Sequence, residues 1–209
     1  RSAVKNINKE FSLLNFNNPL KQLGLFQKAL LGLGTGYMLK NLASGFLKTA
    51  SELQNLKIGL DTITKGKGEQ WFKNINEWAI RMPISTKQAI QSFTQLTAMG
   101  LMPTIDQMQI LLDTTNALGG GEEVLAGIGL AIGQIYTKGK LESQEVRQLA
   151  ERGIPVYEIL SEKLGITATE MQRVGHTTIT SKQALDALFQ GMQERFGGMS
   201  TKIMGKWYG

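Results

Sequence analysis

Six basic residues sit where a partner could reach them. Lys65, Lys67, Lys138 and Lys140 each adjoin a glycine, in Lys65-Gly66-Lys67-Gly68 and Lys138-Gly139-Lys140, and Arg147 and Arg152 follow the second run closely. Glycine-flanked lysines belong to exposed turns, so these six are candidate partner-binding residues of basic loops. Solvated loops are the plainer reading; converging in space, the six would form a patch for an acidic partner, nucleic acid included. Other residue types offer less chemistry. Gly119-Gly120-Gly121 precedes a helical pattern as a phosphate cradle would, but Glu122 and Glu123 stand where a Lys and a Ser or Thr are needed. Two carboxylates repel phosphate, and the run reads as a helix-connecting loop. His176 is the single histidine and there is no cysteine, so a zinc site would have to rest on carboxylates, and no such cluster occurs. Trp71, Phe72 and Trp78 are able to stack bases, yet their helical spacing reads as core. No catalytic, metal-binding or cofactor-binding set emerges, and no cofactor is expected.

Charge is informative through its placement. Residues 1–50 carry seven basic side chains against the single acid Glu10, whereas residues 51–209 carry sixteen of each sign. The net charge of +6 therefore belongs to the N-terminal arm, and that change in composition is the best boundary in the chain. Without cysteine there is no disulfide framework and no thiolate chemistry. The start at Arg1 reads as a piece cut from a longer chain. Ala29 to Leu39 is uncharged, but as a helix it spans about 16 Å against a bilayer core of about 30 Å.

The elements that must position these residues read as helices. Val4, Ile7, Phe11 and Leu14, then Leu23, Phe26 and Leu30, recur at helical spacing in the arm, and a long helix is expected from about Tyr37 to Thr64, ending in a flexible loop at 65–68. Beyond it the spacing predicts helices over 69–81, 86–99, 105–118, 123–137 and 182–196, with a short one over 168–174. Ser85 with Gln88, Thr104 with Gln107, Thr167 with Glu170 and Thr180 with Gln183 have capping-box spacing. The same chemistry explains why residues 84–90 resemble residues 179–185. Gly129 and Gly133, one turn apart, let another helix approach closely. Thr177 to Thr180 and Lys140-Leu141 form at most a very short ribbon. The expected fold class is all-α: a compact bundle of short helices preceded by a longer helical arm.

Ser143 to Leu160 fixes the sharpest bend. Ser143 is placed to cap one helix, with Glu145 in its first turn, where the backbone dipole favours an acid. Gly153 can take the left-handed position that ends it, and Pro155 suits the first position of the next helix. Gly153 and Pro155 thus make a structural turn, with Val146, Leu149, Val156, Ile159 and Leu160 facing a core.

The runs Ile132-Gly133-Gln134-Ile135, Lys138-Gly139-Lys140-Leu141 and Gln148-Leu149-Ala150-Glu151-Arg152-Gly153-Ile154-Pro155-Val156-Tyr157 resemble the signature domain of tail tape measure proteins from long-tailed bacteriophages. Flanking runs agree in order: Gly66 to Phe72, Met99-Gly100-Leu101, Ala117 to Glu122, and Met192 to Met199. The likeness spans roughly residues 47–199. It implies a basic, Gly-containing helical arm at 1–46, a signature domain at 47–198 and the start of a next segment at 199–209. It also implies a structural protein, not an enzyme, of a phage, prophage or tailocin tail. Its parent sets tail length, fills the tube lumen and leaves ahead of DNA. Implied partners are tail tube and tail tip or baseplate proteins, assembly chaperones and further copies of itself in the lumen, with transient contact to host membrane and DNA. The implied location is the virion tail, in lumen or tip, and the host cytoplasm during assembly.

Two other function classes remain from the residues: a membrane-interacting or channel-forming ejection module led by the arm, and a nucleic-acid-binding helical domain. Glu142-Ser143 resembles the catalytic Glu-Ser of lytic transglycosylases, and Gly100-Leu101-Met102-Pro103 a later motif of those enzymes. Here the two stand in reversed order, and Ser143 has a capping position, so wall-cutting activity is not expected. Glycine and proline punctuation every fifteen or so residues from Gly66 to Gly198 argues for a folded docking or anchoring module rather than a measuring rod.

Overall fold

Local chemistry at helix ends divides the chain into short pieces. The computed structural model describes residues 51–52, 54–167, 170 and 179–207. The arm, the expected 168–174 helix apart from residue 170, and His176 lie outside the described residues. Residues 54–63 are helical. After them come α1 (Gly68–Ala79), α2 (Thr86–Ala98), α3 (Ile105–Ala117), α4 (Glu122–Lys138), α5 (Ser143–Glu151), α6 (Val156–Leu164), α7 (Ser181–Phe196) and α8 (Met199–Trp207). The fold is all-α, with no strand among the described residues; an isolated antiparallel bridge joins Lys140 to Thr180.

Each of the four capping boxes forms. The Ser85 hydroxyl accepts from the Gln88 N–H at 3.2 Å while Gln88 Oε1 accepts from the Ser85 N–H at 3.2 Å. Thr104 with Gln107, and Thr180 with Gln183, do the same at the starts of α3 and α7. Thr167 and Glu170 exchange bonds of 2.9 and 3.3 Å. At the other ends, α2, α3 and α5 close in Schellman turns. In α5 the Gly153 N–H donates to the Ala150 carbonyl (2.9 Å) and the Ile154 N–H to Leu149 (3.2 Å). Gly153 has φ of +89°, which a side chain would strain.

The amphipathic faces then share one core within the unit Leu56–Gly209. Phe93, Ile90 and Leu96 of α2 meet Ile128, Ile132 and Ile135 of α4, while Leu188 and Met192 of α7 join Met108 and Leu111 of α3 and Ile159 of α6. Burying each such side chain stabilises by about 1.5–3 kcal/mol. Close approach occurs at Gly133, where a Cβ would collide with Met99, whereas Gly129 leaves ordinary contact distance to Gln95.

The 65–68 loop departs from expectation. Instead of a free loop it is a tight turn held by Asp61, whose carbonyl accepts from the Gly66 N–H (2.9 Å) and whose Oδ1 accepts from the Gly68 N–H (3.1 Å). Gly68 is itself the buried first residue of α1. A Cβ there would lie 2.5 Å from the Asp61 backbone nitrogen, so only glycine fits.

A second tertiary cap anchors the end of the chain. Asp113, buried on α3, accepts from the Gly198 N–H at 2.8 Å and the Ser200 N–H at 2.7 Å, while Gln109 Nε2 donates to it at 3.0 Å. Asn116 Nδ2 donates to Ser200 Oγ at 3.0 Å. Met199–Trp207 is thus a helix capped from α3 and packed on it. Replacing Asp113 by Ala leaves those α8 amides without their acceptor and is expected to cost about 2–4 kcal/mol. Hydrogen exchange checks this: amides of 199–207 should lose protection well before those of α2 and α4, and uniform loss across the unit would contradict the cap's local role.

Candidate partner-binding surfaces

The six basic residues fall into two settings. Lys65 and Lys67 stand exposed on the turn before α1 and line a hollow of about 470 Å³ together with Ile63, Trp71, Asn74 and Met102. Lys65 has φ of 53°, the single non-glycine residue on the left-handed side among the described residues. Among the described residues neither lysine has a carboxylate within ion-pair distance. Trp71 is half-buried and stacks on Phe93 with ring centroids 4.5 Å apart, so this wall of the hollow is fixed to the core.

Lys138 and Lys140 are neutralised. The αL cap at Gly139 turns the chain between α4 and α5 so that both lysines meet Glu142. Lys138 Nζ lies 2.9 Å from Glu142 Oε2 and 2.6 Å from Glu145 Oε1, and Lys140 Nζ lies 3.0 Å from Glu142 Oε1. Glu145 is wholly buried, its Oε2 has no hydrogen-bond partner, and its Oε1 is paired with Lys138. Arg152 is half-buried with its guanidinium laid over Gly127, where any Cβ would strike it, and Nη1 donates to the Gln148 carbonyl. Arg147 is exposed on α5.

These contacts correct two local expectations. Ser143 makes no cap: Glu142, extended at φ −121° and ψ 159°, holds the N-cap position, and Ser143 is the first helical residue. With both lysines pulling Glu142 outward, the helix dipole is met by Glu142 and Glu145 and needs no hydroxyl. Pro155 is the N-cap of α6, and Val156 is its first residue. The turn sits one position from where a proline at N1 would put it.

Hydrogen bonding from Lys138 and then Lys140 holds the Glu142 carboxyl below its ordinary range. A glycosidase acid needs the opposite shift, so that it keeps a proton to donate. The Glu142-Ser143 pair is a salt-bridged helix start, with its carboxyl shifted away from the direction such an acid needs.

What the arrangement offers is packing, turns and charge, and the comparisons match that. The tape measure protein family matches residues 44–208. The chain belongs to that family. This tape measure chain is also similar to the Mu-like prophage FluMu protein gp42 of Haemophilus influenzae, at 27% identity over 189 residues. That match covers 90% of this chain and 30% of the relative, so the chain spans under a third of the relative's length. No solved structure matches it. The family is one of structural proteins of the phage tail, and its match runs through α8.

Sequence reasoning placed the six basic residues but missed Asp61 and Asp113. A signal existed only for Asp61, seven residues before Gly68; Asp113 lies 85 residues from Gly198.

Two outcomes test the α4–α5 cluster. Lys138→Met leaves Glu145 buried without its cation and should lower the unfolding free energy by about 3 kcal/mol in urea titrations, with most of it restored by adding Glu145→Leu. A loss below about 0.5 kcal/mol would mean that the pair contributes little. For pH, Glu142 is shifted below the usual glutamate value, so its contribution is present above that value and is lost as pH falls through the depressed one. Lys138 is shifted up, first by Glu142 and then by Glu145, and its contribution persists until pH rises through the raised value. Glu142→Gln should therefore be less stable than the parent at neutral pH, with the gap closing as pH falls through the depressed Glu142 value; a gap independent of pH would exclude the charge mechanism.

Proposed function

We propose that residues 56–209 are the folded docking module of a longer tail tape measure protein, and that the length-measuring helix lies elsewhere in that parent. In this reading the parent sets tail length, fills the tube lumen and leaves ahead of DNA, while this module holds it to tail tube, tip or baseplate proteins or to assembly chaperones. The reading places the protein in the virion tail and, during assembly, in the host cytoplasm.

The supporting observation is the Schellman-closed, mutually packed set of short helices around one core. About 150 residues as one helix would reach roughly 225 Å. Folded as a globule they have a radius of gyration of about 15 Å. A segment that folds back on itself adds little length and offers surface, which suits anchoring. The family match, and the chain's coverage of 30% of a longer relative, support reading it as a module of a bigger protein.

Deleting residues 66–198 from the phage gene tests the assignment. Failed assembly or uncontrolled tail length is expected. Tails shortened strictly in proportion to the residues removed would show that this region measures and does not dock.

A further inference from the structure

We infer that the hollow beside the α1 turn is a recognition site for an acidic protein segment carrying one large apolar side chain. This deepens the docking reading by naming a surface and the chemistry of its partner.

The hollow joins two kinds of wall. Trp71, Ile63 and Met102 provide the apolar part of a hollow of about 470 Å³, room for one or two side chains. Met102 is 46% exposed, so its side chain is open to contact from a ligand. Lys65 and Lys67 stand on the rim, and none of the lining residues is acidic. The turn that presents them is rigid, since Asp61 holds Gly66 and Gly68 and only glycine fits at 68. Lys65 also keeps a left-handed φ, a conformation whose cost points to function when it recurs at clamps. A preorganised floor and rim lose little entropy on binding.

Charge decides the occupant. Around this turn Lys57 is held by Glu69 at 2.6 Å, and Lys73 lies 3.9 Å from Glu77. That leaves two lysines for a ligand. Two cations match two carboxylates flanking an apolar anchor, whereas a nucleic-acid strand needs a track of cations along successive phosphates. Residues 1–50 carry the same net sign as the rim, so an acidic segment is the better electrostatic match.

The test uses the full 209-residue chain. A random peptide library is panned on it, and the enriched peptides are titrated against the parent, the double variant Lys65→Glu/Lys67→Glu and the single variant Met102→Glu, each first checked for helicity by circular dichroism. These positions are exposed, so the fold should persist. Expected are acidic peptides with one large apolar residue, bound about tenfold more weakly by both variants. Enrichment of neutral or basic peptides, no enrichment, or equal binding by the variants overturns the site. So does a fluorescent oligothymidylate that the parent binds and the double variant loses, which would make the hollow a nucleic-acid site. In the phage, normal tails from Lys65→Glu/Lys67→Glu beside failed tails from the 66–198 deletion would sink this surface and leave the docking reading standing; proportionally shortened tails would sink the docking reading alone.

Discussion

The constraint on which this structure depends is that every short helix leaves backbone donors at its start and acceptors at its end that must find partners. A chain that breaks its helices as often as this one multiplies those groups. The protein meets the requirement in two ways. Hydroxyl–glutamine capping boxes and glycine turns act within a few residues, while Asp61 and Asp113 act from outside the helices they cap. The first kind stops a helix. The second decides where the next one points, because a carboxylate fixed on one helix dictates the position of another's first turn.

Charge follows from the same geometry. The αL glycine at 139 swings Lys138 and Lys140 onto Glu142, with Glu145 buried beneath. A run that reads as an exposed basic loop becomes a locked corner between α4 and α5. The Asp61-held turn does the reverse: its carboxylate goes to the Gly68 amide, and Lys65 and Lys67 are left without a counter-charge among the described residues. Two lysine–glycine runs that look alike therefore serve as cement in one case and as an open cationic rim in the other.

Membership of the tape measure family sits well with a structure built from packing and turns. The glycines at close approaches, Gly133 against Met99 and Gly191 against Ile159, bring helices near enough to share one core. The result is a surface-bearing body whose contribution to length is small beside that of an extended helix of equal residue number.

Much was legible without coordinates. The all-α class, the limits of α1 to α4 and of α7 to within about two residues, the capping boxes, the apolar faces and the left-handed Gly153 are relations over one to seven positions, and such relations are written into neighbouring residues. Ser143 does not cap because the helix starts one residue earlier than expected, with Glu142 at the N-cap, and Pro155 shifted by one position for want of a signal that fixes register. Asp113 looked like any polar position on α3, yet it is buried because amides 85 and 87 residues away converge on it. Which lysines are neutralised, which stay free, and that a hollow forms between a turn and a loop more than thirty residues later were decided only by tertiary packing. Electrostatic partners and cavities depend on distances in space, and spacing along the chain does not encode them.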